Sequence, residues 1–151
     1  MAENGCIFCN IVAGKIPARK IYEDENHIAF LDIFPNIRGQ TLVIPKKHYG
    51  SNAFDLDPPV LAEFVLSIQK VVKIIEAKLN VGRVHLVFEG TGIDHVHAKL
   101  YPAIGIASKE FSEHISHEPK YFNHYEGYLS TLMGPKADDK ELAELQRLLT
   151  S

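Results

Sequence analysis

The sequence predicts an α+β fold. Three observations carry that expectation. Several short apolar runs precede one long segment with helical periodicity, two more strand-like runs follow it, and strands do not alternate with helices as a parallel sheet would need. Antiparallel strands around one long helix satisfy all three. The 151 residues suit a single domain with its own core.

Taken in order, residues 6–13 form a short apolar piece ended by Gly14. Residues 20–22, 27–32 and 41–44 read as strands, with Asp24-Glu25-Asn26 as a hairpin turn between the first two. Residues 35–39 (Pro-Asn-Ile-Arg-Gly) read as a loop. Asp57-Pro58-Pro59 opens a helix, with Asp57 as N-cap and Pro58 in the first helical position. Leu61, Phe64, Val65, Ile68, Val71, Val72, Ile75 and Leu79 recur at helical spacing as its buried stripe, and Asn80 and Gly82 end it. Val84, Leu86 and Phe88 alternate along another strand. A tight turn over 89–94 leads to a last strand over 95–101. Asp138 and Glu141 are placed for a capping box before a helix carrying Leu142, Leu145 and Leu149. Residues 108–135 show no usable pattern.

Composition narrows the partners. The formal charge of −3 supplies no global basic field for nucleic acid, so a nucleotide would need a local site. No apolar run is long enough for a membrane helix. Residues 1–5 are not basic and lead into no long apolar stretch, so no secretory signal is expected and the expected location is the cytosol. Disulfides are rare there, which bears on the two cysteines, Cys6 and Cys9.

Four features could carry chemistry. Cys6-Ile7-Phe8-Cys9 spaces two thiols as half of a tetrahedral zinc site, two buried thiols, or a redox pair, although the βαβ context of the redox pair is missing. In His95-Val96-His97-Ala98-Lys99-Leu100-Tyr101, strand alternation puts His95, His97, Lys99 and Tyr101 on one face. That face is a reactive site, a catalytic metal site or a solvated polar surface. His48 just past the third strand is a ligand or an exposed residue. Asp32 at the end of the second could accept hydrogen bonds from vicinal ribose hydroxyls or be solvated.

Together these features resemble the histidine-triad (HIT) family, in particular its zinc-containing bacterial-type branch. The resemblance is carried by Cys6-Ile-Phe-Cys9-x-Ile-Val-x-Gly-x-Ile-Pro17, Tyr22-Glu-Asp through Ala29-Phe-Leu-Asp32, Gly39-x-Thr-Leu-Val-Ile-Pro-Lys-x-His48 and His95 to Pro102. It implies a single HIT domain over 1–151 (core 6–105, C-terminal extension 106–151), with a five-stranded antiparallel sheet, one long helix and a C-terminal helix. Homodimers are the usual assembly. The resemblance further implies structural zinc on Cys6, Cys9, His48 and His95, a closed set with no open catalytic position.

His97 matches the family's nucleophile, which attacks the α-phosphorus of a purine nucleotide, either a phosphoramidate or a dinucleoside polyphosphate. A nucleotidyl-histidine forms and water then cleaves it. Ile7, Phe8, Ile11, Phe30 and Ile33 would line the nucleoside pocket, with Asp32 on the ribose. The chain departs from the family at the phosphate. Lys99 stands at the third histidine and would assist electrostatically, as a mobile point charge rather than an oriented ring. Residues 89–94 are shorter than usual, Phe88 replaces the common asparagine, and the Gly-Gln-Ser-type segment is missing, leaving Thr91, Gly92 and backbone amides. A zinc-stabilised nucleotide binder or regulator without turnover is therefore a second expectation. A third has His95 and His97 sharing a catalytic metal with another histidine such as His85. His114, His117 and His124, among Tyr121, Tyr125 and Tyr128, would line the active site or belong to an irregular polar surface.

Overall fold

The computed structural model describes residues 5–109, 113, 116–130 and 135–150. The chain divides into two compact units, 1–110 and 111–151. The first opens with a short helix, α1 (Ile7–Val12), and three strands, β1 (Lys20–Glu23), β2 (His27–Leu31) and β3 (Thr41–Pro45). A single 3-10 turn (Ala53–Asp55) precedes the long helix α2 (Pro58–Leu79), and β4 (Val84–Val87) and β5 (Ala98–Pro102) follow. The strands form one antiparallel sheet in the order β1-β2-β3-β5-β4. The expected five-stranded antiparallel sheet and single long helix are thus both present.

The central strands β2 and β3 are buried on both faces, because α2 covers one and the α1 segment the other, whereas β1 and β4 at the edges are partly exposed. Ala29, Val43, Ala98 and Leu100 pack with Phe64, Ile68, Val71 and Ile75 of α2. Ile28, Phe30, Leu42 and Ile44 alternate with them and pack with Phe8 and Ile11 of α1. The α2 stripe follows 3.6-residue periodicity with two changes. Val65 is exposed, one residue off the stripe, and Ser67 is buried on it. Phe64 is fully buried, so Phe64→Ala should cost about 3–5 kcal/mol. Asn80 ends the helix in the left-handed conformation (φ 50°), as its helix-ending role requires. Asp57 stands at the N-cap position with Pro58 next to it, but its side chain makes no capping hydrogen bond.

Ser67 is tolerated in the core because it belongs to a polar knot. Its hydroxyl donates to Asp24 Oδ2 (2.8 Å) and receives the Nδ1–H of buried His27 (3.0 Å). The His27 ring stacks on Phe64. Asp24 Oδ2 also accepts from Tyr22 (2.8 Å), and Oδ1 from the backbone N–H groups of Asn26 and His27. The predicted hairpin turn is therefore an Asp-capped turn pinned to α2. Burial pushes the Asp24 carboxyl up, but these hydrogen bonds outweigh it and hold the group well below the ordinary carboxylate range. A depressed folded-state value adds stability above the unfolded value of about 4 that is lost as pH falls. Acid unfolding of wild type should thus show a loss between about pH 4 and lower pH that Asp24→Asn lacks. Asp24→Ala should cost roughly 1–3 kcal/mol near neutral pH by leaving buried donors unpaired. Thermal melts across pH check both.

Strand boundaries differ from expectation by one residue at the ends of β1, β3 and β5, and three differences bear on the site. β2 ends at Leu31, before Asp32, and β4 ends at Val87, leaving Phe88 to pack on Phe64 (5.7 Å between centroids). β5 begins at Ala98, not at residue 95. The His95 N–H donates to Ile93 O and the Val96 N–H to Tyr49 O, so neither joins the β3 ladder.

In the second unit, Asp139–Thr150 forms the expected C-terminal helix, α3. Asp138 Oδ1 accepts from the N–H groups of Lys140 and Glu141, which is the Asp half of the capping box. Leu142, Leu145 and Leu149 are exposed. Residues 116–130 carry neither helix nor strand. His117 and His124 lie there, both exposed, and His114 lies outside the described residues. No helix among the described residues is long and apolar enough to cross a membrane.

Candidate functional site

Two groups of polar side chains lie on the α1 side of the sheet. The first gathers Cys6, Cys9, His48 and His95. Cys6 is the N-cap of α1 and its sulfur accepts from the Cys9 N–H, so the cap geometry turns both thiols to one end of the helix. No disulfide joins them. His48 follows β3 and His95 precedes β5.

Their ligand atoms all lie within 4.8 Å of one another. His95 Nδ1 is 3.5 Å from Cys6 Sγ and 3.6 Å from Cys9 Sγ, and His48 Nδ1 is 3.3 Å from Cys9 Sγ. Zinc bonds of about 2.3 Å to sulfur and about 2.0 Å to nitrogen place tetrahedral S···N edges at about 3.5 Å. The donor set therefore fits a four-coordinate metal. His95 Nε2 donates to the Pro45 carbonyl (2.9 Å), which leaves Nδ1 as its lone-pair nitrogen, aimed at the thiols. A carbonyl partner of this kind fixes the tautomer of a metal-binding histidine. Among the described residues neither His97 nor His85 joins the cluster. His85 is exposed on β4, opposite Tyr101, so the shared His95–His97–His85 metal has no geometric support.

The second group centres on His97, which is 3% exposed. The predicted alternation holds even though the strand starts late. Val96, Ala98 and Leu100 enter the α2 core, while the His95 and His97 rings stand edge-on to Phe8, 5.7 and 5.3 Å between centroids. His97 Nδ1 donates to the His95 carbonyl (2.8 Å). In neutral imidazole the other nitrogen, Nε2, then carries the lone pair. Burial lowers the His97 pKa and nearby Lys99 lowers it further, against the His95 carbonyl, Glu89 and Asp32.

Lys99 ion-pairs with Glu89, from the loop after β4. Burial works against the lysine's charge, but the Glu89 carboxylate outweighs it and holds the ammonium above its ordinary pKa. Asp32 is half-buried and held on both oxygens: the Phe34 N–H donates to Oδ1 (2.9 Å) and Gln40 Nε2 to Oδ2 (2.6 Å). Buried Gln40 also accepts from the Asn36 N–H. Of the residues expected around a nucleoside, Phe8, Ile11 and Phe30 are buried in the α1-side core, whereas Ile7 and Ile33 are exposed. A cavity of about 360 Å³ borders the thiol side, lined by Cys6, Ile7, His48, Gly92, Ile93 and Asp94 among others. His97 is not among its lining residues.

Glu89 and Gln40 are site neighbours that sequence reasoning passed over. Neither has a distinctive spacing: Gln40 meets Asp32 across the single β2–β3 loop, and Glu89 meets Lys99 only when the loop after β4 folds back beside β5.

The profile of the HIT domain family matches residues 13–102. A HIT-like protein of Methanocaldococcus jannaschii is 42% identical over 103 residues, 64% of this chain and 78% of its own. The adenosine 5′-monophosphoramidase of Schizosaccharomyces pombe is 38% identical over 102 residues, 64% of this chain and 73% of its own. A crystal structure of a Streptococcus mutans protein superposes with a TM-score of 0.68 at 29% identity, covering 98% of this chain and 85% of that one. On the extent of the profile match and the relatives' identity, the chain belongs to the HIT domain family.

Proposed function

We propose that the protein is a nucleotide hydrolase or nucleotidyl transferase acting at the α-phosphate, with His97 as nucleophile. The observation that carries this reading is the orientation of His97, whose Nδ1–H is tied to the His95 carbonyl, leaving the Nε2 lone pair for attack. The phosphoramidase relative supports the substrate class. The His97 Nε2 lone pair forms a bond to phosphorus as the bond to the leaving group breaks with its electron pair. For an amine leaving group, the departing nitrogen takes a proton from water. Hydroxide oxygen then displaces the imidazole from phosphorus, releasing the nucleotide and restoring neutral His97. The gain is that of covalent catalysis, one difficult displacement divided into two easier ones. Lys99 offsets phosphate charge and Asp32 receives the ribose hydroxyls.

Cys6, Cys9, His48 and His95 would hold zinc as a closed set. It would serve structurally, tying the N-terminal segment to the sheet that carries His97. The reading takes 1–151 as one HIT-domain protein, working as a cytosolic homodimer.

Steady release of AMP from adenosine 5′-phosphoramidate by purified protein tests the reading. AMP binding without release would favour the second reading, a nucleotide-binding protein with little turnover. The Lys99–Glu89 pair motivates it, because Glu89 neutralises Lys99, a cation that acts on His97. Gln40→Ala should raise KM about 10-fold, with a smaller effect on kcat, because Asp32 loses one of its two anchors.

A further inference from the structure

We propose that Glu89 is a specificity-determining residue that sets the charge of the leaving group, admitting neutral or cationic amines and opposing anionic polyphosphate chains. The inference deepens the function proposed above and rests on it. It starts from a charge count. The charged side chains acting most strongly on His97 are Lys99, Glu89 and Asp32, two carboxylates to one ammonium. The same two carboxylates act on Lys99 and on Tyr101, so these groups share one region. Lys99, the cation of this group, is itself ion-paired to Glu89, so these three side chains together offer a polyphosphate no excess of positive charge.

Strand order then distributes the charges. Asp32 follows β2, while His97 and Lys99 belong to the β5 segment two places along the sheet, and Glu89 follows β4 on the far side of β5. A ligand with its ribose at Asp32 and its phosphorus at His97 has β2 on its nucleoside side. Its remaining atoms lie toward the Lys99–Glu89 side.

Glu89 is also held in place. Its partner Lys99 sits opposite Val87 in the β4–β5 ladder. Next to it, Gly90 takes φ +70° against the Ser51 carbonyl, where an added Cβ would come within 3.3 Å. The Ser51 N–H donates to Asp94 Oδ1 (2.9 Å) at the other end of the loop. The loop thus packs on Ser51 at one end and is hydrogen-bonded to it at the other, and the ion pair with Lys99 places the Glu89 carboxylate. A like charge near the path of a polyanion acts against that ligand while leaving an uncharged amine untouched.

Glu89→Gln keeps the shape and removes the charge. Two ratios read its effect: kcat/KM for adenosine 5′-phosphoramidate against P1,P4-diadenosine tetraphosphate, and Kd for AMP against ATP. In Glu89→Gln both should move roughly 10-fold toward the more anionic ligand, and the Kd shift should shrink as salt rises. A structural loss would weaken both nucleotides alike and would show no salt dependence. Unchanged ratios would overturn the inference. If wild type releases no AMP from either substrate, the hydrolase reading fails, and the AMP-to-ATP ratio still decides the role of Glu89. Absence of any nucleotide binding would overturn both.

Discussion

Cys9→Ser protein should be purified without its metal and should melt at least about 10 °C below wild type, a loss of about 3 kcal/mol or more. Cys9 is the buried thiol of the cluster, and its sulfur lies near both His48 and His95. Serine cannot supply a thiolate, and three remaining donors leave an open coordination position. The loss would extend beyond the metal itself, because a metal bound there would tie α1, which carries Phe8 and Ile11 into the second core, to the sheet. Wild type should contain one zinc per chain, and a strong chelator should reproduce the mutant's melting temperature. Metal retained in Cys9→Ser, or wild type purified metal-free and equally stable, would remove the structural-zinc reading.

His97→Ala should lower kcat for phosphoramidate hydrolysis by about 10⁴-fold or more, the scale expected when a covalent nucleophile is removed. Its melting temperature should fall far less than that of Cys9→Ser. The side chain contributes one hydrogen bond and an aromatic edge contact, and none of the metal donors. AMP affinity should stay within about 10-fold of wild type if Asp32 supplies most of the nucleoside grip. The two variants therefore separate the neighbouring groups: Cys9→Ser acts on the fold and His97→Ala on the chemistry. A His97→Ala enzyme with wild-type turnover would move the nucleophile elsewhere.

Much of this arrangement was legible in the sequence because it rests on periodicity. Alternation along β2, β3 and β5 decides which residues meet α2 and which meet α1, and it needs no knowledge of partners. The α2 stripe was readable for the same reason. Its one misplaced member, Val65, is adjacent to Phe64 in sequence and about 100° away around the helix. The start of β5 was misjudged because residues 95–97 keep strand-like side-chain alternation while their backbone bonds go to loops, and side-chain pattern cannot report backbone pairing.

The grouping of Cys6, Cys9, His48 and His95, which could hold a metal ion, was legible only through family resemblance. Residues 6–9 alone gave two thiols with several explanations, and folding had to bring His48 and His95 to them. Glu89 and Gln40 were not legible. Gln40 lies eight residues from Asp32 and Glu89 ten from Lys99, across turns whose geometry no spacing rule fixes. Ser67 was hidden for a related reason: a polar residue on an apolar stripe looks like an exception until Asp24 and His27 appear beside it.

The most direct test of His97 as a covalent nucleophile is intact-mass measurement of protein quenched, without acid, during reaction with adenosine 5′-phosphoramidate. Wild type should gain the mass of one nucleotidyl group, and peptide mapping should place it on His97, with no adduct on His97→Ala. An adduct on another residue, or steady AMP release with no adduct even at the shortest sampling times, would contradict a nucleotidyl-histidine route.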